Sequence, residues 1–192
     1  MNITTEQLFD NAGTHNVWTD KPVSEAELRE LWRLTSLGPT SANTSPLRAV
    51  FVRSADAKAR LVPCMDAGNQ AKVAAAPVTA ILGMDLAFYE HMGKLFPHNP
   101  GARSWFEGNQ PKIESTAFRN SSLQGGYFIL AARALGLDCG PMSGFDAEKV
   151  DALFWAGTKV KTNFICSLGH GDGSKLFPRS PRFGFEEACK TL

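Results

Sequence analysis

The chain lacks any apolar run long enough to cross a bilayer. Its longest nearly apolar stretch, Val73 to Met84, is interrupted by Pro77 and Thr79, and it falls well short of the roughly 20 residues that a spanning helix needs. No membrane partner is expected. An excess of either charge is also missing: 20 Lys and Arg stand against 19 Asp and Glu, a formal net charge of +1. No whole-molecule field steers such a chain to nucleic acid, so any anion it binds must be met locally. The four cysteines, Cys64, Cys139, Cys166 and Cys189, stand far apart with no C-x-x-C, and His15, His91, His98 and His170 show no H-x-x-x-H spacing. That pattern argues against a metal site and against a disulfide framework. The opening MNITTEQLFDNAGTHN has no basic head leading into an apolar run, so no secretory leader is expected and the cytoplasm is the expected compartment. The glycines give no dinucleotide fingerprint, because Gly169-x-Gly171-x-Gly173 has the wrong spacing, and Gly140 to Gly144 lacks the order of a serine nucleophile elbow.

What is present is an ordinary globular composition, 43% hydrophobic and 20% charged, in a chain long enough to bury its own core. Ser24 and Glu27 stand at capping-box spacing ahead of Leu28, Leu31, Trp32 and Leu34, which predicts a helix stopped by Gly38-Pro39. Arg48 to Arg53, Val78 to Met84 and Asn163 to Leu168 read as buried strands. Helices are expected over Asp56 to Val62, over Ala67 to Ala75, from Pro111 to about Leu135, and from Asp146 to near Gly157. Leu86 to Gly108 reads as an irregular lid or binding loop. The Gly125-Gly126 pair inside the long helix implies close approach, either of a packed helix or of a flat ligand. The tail after Leu168 is too poor in apolar residues to fold on itself, so it is expected to lie across something, a partner subunit included. Helices and strands alternate irregularly, which favours α+β over a doubly wound sheet.

Four polar turns are the candidate binding elements: Thr14-His15-Asn16, Pro39-Thr40-Ser41-Ala42-Asn43, Pro141-Met142-Ser143-Gly144, and the tail carrying Arg179 and Arg182. Turns of this kind offer backbone N–H groups and hydroxyls to a phosphate or to the polar edge of a planar ring; they also read as plain turns. Asn69 and Lys72, three apart, share one helix face and can present an amide and a cation together, or form a solvated polar face.

In their order, these segments resemble the nitroreductase family of FMN-dependent oxidoreductases, and the resemblance covers nearly the whole chain. Within it, Thr14 to Trp18, Gly38 to Asn43, Phe96-Pro97-His98, Ala102 to Phe106, Thr116 to Ser122, Gly140 to Asp146 and Gly171 to Leu176 are similar to the malonic semialdehyde reductase branch. The resemblance implies a single three-layer domain over residues 1–192, with a mixed, mostly antiparallel sheet between helices and a tail reaching the other subunit of a homodimer. It implies FMN as cofactor, NADPH or NADH as reductant, and a small aldehyde as substrate. Thr14, His15, Asn16, Pro39, Thr40, Ser41 and Asn43 then belong to the flavin-contacting loops. Asn69 and Lys72 face the pyrimidine end of the ring, and Pro141, Met142, Ser143 and Gly144 approach its hydride-carrying nitrogen. The family usually has cations where this chain has Gly13 and Asn16, so Arg179, Arg182 and Arg48 become candidates for the phosphate, and easy loss of FMN is expected. Arg103 and Arg119 are the candidates for clamping a substrate carboxylate, and His98 is a candidate proton donor.

Overall fold

A computed structural model describes residues 3–192. In chain order it contains α1 (Glu25–Ser36), β1 (Leu47–Val52), α2 (Ala55–Leu61), α3 (Ala67–Ala75), β2 (Val78–Asp85), α4 (Met92–Leu95), α5 (Gln110–Ala134), β3 (Asp138–Met142), α6 (Ala147–Phe154), β4 (Val160–Gly169) and α7 (Phe185–Ala188). The strands form one sheet in the order β1-β2-β4-β3, with every strand pair antiparallel. A single parallel bridge, Thr14 to Cys139, adds the amino-terminal segment to the β3 edge. The sheet is thus mixed and mostly antiparallel.

Alternation along the central strands divides the core into two layers. Ala80, Leu82, Cys166 and Leu168 pack beneath Leu28 and Leu31 of α1 and Phe128, Ala131 and Ala132 of α5. Ile81 and Ile165 face the opposite way, against Leu61, Val73 and Val150. Helices therefore cover both sheet faces, giving the three-layer α+β architecture. The start of α1 is fixed by the capping box that the sequence suggests: the Glu27 N–H donates to Ser24 Oγ (3.2 Å), and the Ser24 N–H donates to Glu27 Oε2 (2.7 Å).

Three sequence expectations change. Residues 138–142 form a strand that composition conceals, since Gly140 and Pro141 disfavour strands; β3 lies at a sheet edge, where a proline's missing N–H breaks no ladder. Leu86 to Gly108 is not structureless, because Phe88, Met92, Ala102 and Phe106 join Ile113 and Ala117 of α5 in a third apolar cluster. Gly125 accommodates neither a second helix nor a ligand: a Cβ there would collide with the Phe164 ring of β4, while Gly126 faces open space.

Candidate functional site

The β3 edge gathers most of the predicted binding residues. The His15 N–H donates to the Cys139 carbonyl (2.9 Å), and Gly140 allows that approach because a Cβ at 140 would collide with the His15 carbonyl oxygen. Thr14 and Asn16 consequently stand on either side of a residue pinned to the sheet. His15 itself contributes only its backbone: its side chain is 6% exposed, lies against Gly171, and places Nε2 3.4 Å from Asp138 Oδ1. Asp138 also accepts from the Gly171 N–H (2.8 Å), so it joins the amino-terminal segment to the tail.

Beside this seam a cavity of about 530 Å³ is lined by Asp10 to Thr14, Asn16, Arg133, Leu176 to Ser180 and Arg182. Thr14, Asn16, Arg179 and Arg182 therefore meet around one cavity. Arg179 is partly committed, since its Nη2 donates to the carbonyls of Phe9, Asp10 and Ala12 (2.7, 2.9 and 2.7 Å), strapping the tail to the amino-terminal segment. Arg182 Nη1 donates to the Ser180 and Pro181 carbonyls (2.8 and 3.0 Å). Arg48, the third phosphate candidate, is placed elsewhere: it sits in β1 at the far edge, bonded to Asp85 Oδ2 (2.6 Å) and to the carbonyls of Ser45 and Leu47. Its cation is matched by a buried carboxylate.

The turn after β3 docks on the start of α3. The Gly144 carbonyl accepts from the Asp66 N–H (3.1 Å) and from Asn69 Nδ2 (3.1 Å), and Lys72 Nζ donates to Asn69 Oδ1 (3.1 Å). A Cβ on Gly144 would lie 2.7 Å from both Asn69 Nδ2 and Asp66 Oδ2, so only glycine lets the turn seat here. The exposed Ser143 hydroxyl, the Asn69 amide and the Lys72 ammonium thus come from one structural unit. Cys139, beside Thr14, and Ser143 are four residues apart along the edge strand, or about 13 Å.

Loop Pro39–Asn43 lies outside this group. It precedes β1, at the sheet edge opposite β3 and about 14 Å away across three strand spacings. The Ser41 N–H donates to Asn120 Oδ1 (2.8 Å), Tyr127 Oη donates to the Pro39 carbonyl (3.0 Å), and Asn43 Nδ2 donates to the Leu95 carbonyl (2.7 Å). The Thr40 hydroxyl accepts from the Ser45 N–H (3.1 Å). Ala42, Asn43 and Ser45 have φ of 48, 50 and 39°, in the left-handed region. Arg119 is exposed beside Asn120. Arg103 pairs with Glu107 (2.6 Å), a hydrogen bond that raises the guanidinium pKa further. His98 is exposed against the Phe96 ring, with centroids 4.0 Å apart. Within one chain the predicted residues therefore fall into two groups that do not meet: the β3 edge with α3, and the loop before β1 with Arg119.

Sequence reasoning missed Asp138, Asn120 and Arg133. Asn120 lay within the Thr116 to Ser122 segment without being singled out, and Asp138 carried no signal, being a single polar residue in a regular element. Arg133 had only its place in the last turn of a long helix, where a cation is usual on dipole grounds. Among the described residues no group of three or more His, Cys, Asp or Glu side chains is arranged to hold a metal, and no helix is long and apolar enough to cross a membrane.

Residues 17–170 match the model of the Nitroreductase family. A Burkholderia lata protein provisionally named NADH dehydrogenase/NAD(P)H nitroreductase is 63% identical over 96% of this chain and 94% of its own length. A Ralstonia nicotianae protein of the same provisional name is 58% identical, covering 97% and 95%. Among solved structures, a provisionally named nitroreductase of Bacillus subtilis superposes with TM-score 0.88 at 23% identity, over 96% of this chain and 97% of that one. Another such protein, from Exiguobacterium sibiricum and solved in complex with FMN, superposes with TM-score 0.89 at 17% identity, over 100% and 99%.

Proposed function

This chain belongs to the nitroreductase family, and on that premise we propose that it is an FMN-dependent NAD(P)H oxidoreductase that reduces malonic semialdehyde to 3-hydroxypropanoate. The observation that carries the reading is the convergence, along one sheet edge, of an arginine-lined cavity containing Thr14 with the Asn69, Lys72 and Gly144 unit. The donor set fits FMN: cations and a hydroxyl suit its phosphate, and an amide with an ammonium suits the electron-rich edge of its ring. Thr14, Asn16, Arg179 and Arg182 would hold the phosphate, Asn69 and Lys72 the pyrimidine end, and Pro141 to Gly144 the hydride-carrying region. When bound, FMN supplies a two-electron hydride acceptor and donor. The Lys72 charge, held in place by Asn69, would favour the reduced, more anionic state of that group.

The two groups, read as half-sites, support a homodimer. Pro39 to Asn43 and Arg119 of one chain sit a sheet's width from Lys72 of the same chain, and a second copy brings them to it. On this reading the tail, whose Phe177 and Phe183 are 83% and 81% exposed, reaches across to the other subunit. Arg119, unpaired among the described residues, and Arg103 are the groups that bind the substrate carboxylate and orient its aldehyde. With FMN bound, one open face would serve nicotinamide and aldehyde in turn, in a ping-pong sequence.

A second reading, a nitroaromatic or quinone reductase, is favoured by the names that the relatives bear. The protein reconstituted with FMN should oxidise NADPH or NADH with malonic semialdehyde at a kcat/KM well above that for a nitroaromatic. The reverse ranking supports the second reading. A protein that binds no FMN defeats both.

A further inference from the structure

We propose that Arg133, at the end of α5, is a phosphate-gripping residue of the cavity beside Thr14, presenting one edge of its guanidinium as a two-point donor to a phosphate monoester. The inference rests on the flavin reading and adds a phosphate-contacting residue that neither the sequence motifs nor the comparisons assign.

Arg133 is held differently from the other two arginines of the cavity. Arg179 spends Nη2 on three carbonyls, and Arg182 spends Nη1 on its own neighbours; both sit on the exposed tail. The Arg133 side chain leaves a regular helix, and its Nη1 donates to the Leu8 carbonyl (2.7 Å). The Gln7 side chain donates to the Arg133 and Ala134 carbonyls (2.7 and 3.3 Å), clamping the helix end to the amino-terminal segment. That bond limits how far the guanidinium can turn. The Arg133 Nε is buried and has no hydrogen-bond partner, and among the described residues no carboxylate pairs with this guanidinium.

A buried donor on a cation that finds no acceptor is costly, and more so than a neutral one. With Nη1 committed, Nε and Nη2 form the remaining edge, two parallel N–H groups spaced for two oxygens of one phosphate or carboxylate. The cavity favours phosphate. It is lined by three arginines against the single carboxylate of Asp10, and it holds the Thr14 hydroxyl, a surplus of positive charge that suits a dianion.

The test compares FMN with riboflavin, which lacks the phosphate, by flavin fluorescence titration of apoprotein, together with the thermal shift that inorganic phosphate produces. Wild type should prefer FMN, and Arg133→Gln should reduce that preference by about 10- to 100-fold, the worth of a charged two-point hydrogen bond. Riboflavin affinity should change by less than about threefold, and stabilisation by phosphate should vanish. Arg133→Lys, which keeps the charge but loses the fork, should fall between the two, and it serves if the glutamine variant does not fold. Gln7→Ala, which loosens the same helix end without touching the guanidinium, should leave the FMN preference intact.

An unchanged preference in Arg133→Gln overturns the proposal, as does equal weakening of both flavins, which marks Arg133 as a strap for Leu8 alone. A wild type that binds neither flavin overturns the flavin reading. In that case a phosphate-induced shift that depends on Arg133 still upholds the fork, and one that does not removes it.

Discussion

Gly140→Ala tests how the amino-terminal segment is mounted on the sheet. The added methyl would meet the His15 carbonyl oxygen, a backbone atom that cannot rotate aside, so strand and segment must separate. Overpacking of this kind costs about 1–3 kcal/mol, and losing the bond from the His15 N–H to the Cys139 carbonyl adds about 0.5–1.5 kcal/mol. A total of about 1.5–4.5 kcal/mol corresponds to a Tm lower by roughly 3–18 °C in a protein of this length. Because Thr14 and Asn16 flank the displaced residue, the preference for FMN over riboflavin should fall as well. Gly68→Ala is the control: it lies inside α3 with nothing within 4 Å of its added methyl, and it should stabilise by about 0.4–1 kcal/mol. Thermal and denaturant unfolding of the apoproteins measures both, and flavin titration measures the second effect. A Gly140→Ala protein within about 0.5 kcal/mol of wild type would refute the reasoning, as would a destabilised one with unaltered FMN preference.

Three further outcomes are expected. Thr162→Val removes the acceptor of the buried Trp155 Nε1 (3.1 Å) and one donor to Asp151 Oδ1 (2.7 Å); it should cost about 1–3 kcal/mol in denaturant unfolding, and a neutral result would mean that the indole finds another partner. Ser24→Ala should cost about 1 kcal/mol by removing the cap of α1. The Ser24 backbone N–H, then its hydroxyl, hold the Glu27 carboxyl below its ordinary value. Because the folded pKa is the lower one, the stability it confers is complete above the ordinary carboxylate value and is lost as pH falls through the folded value. Glu27→Gln should therefore flatten that acidic limb of a stability-against-pH curve, and an unchanged limb would count against the box. Lys72→Gln should slow flavin reduction by NADPH or NADH about tenfold or more, equivalent to 1.4 kcal/mol of barrier, and lower the flavin potential; stopped-flow and potentiometric titration read the two, and an unshifted potential would remove the electrostatic role.

Much of the fold could be read where side-chain chemistry acts locally. Ser24 and Glu27 announce α1, residues 67–75 form the expected helix, and short apolar runs mark β2 and β4 as buried strands. The misses share a cause: each depends on partners distant in sequence. Residues 138–142 become a strand because β4 lies alongside, despite Gly140 and Pro141. The segment after Leu86 orders itself because Ile113 and Ala117 of α5 complete its apolar cluster. The site divides in the same way. Motif order located the turns, whereas nothing near Arg48, one of three phosphate candidates, announces its partner Asp85, 37 positions onward. Arg133 stayed hidden because a helix-terminal arginine looks alike whether it faces solvent or a cavity.

The left-handed backbone at Ala42, Asn43 and Ser45 changes how a neighbour is greeted. Residues in that region without glycine cost on the order of 1–3 kcal/mol each, and here the cost is met within the chain by Asn120, Tyr127 and the Leu95 carbonyl. The loop therefore has its final shape before anything arrives, with little ordering entropy left to lose. Encounter with that surface becomes a rigid-body event, timed by diffusion and alignment rather than by the folding of a flexible arm.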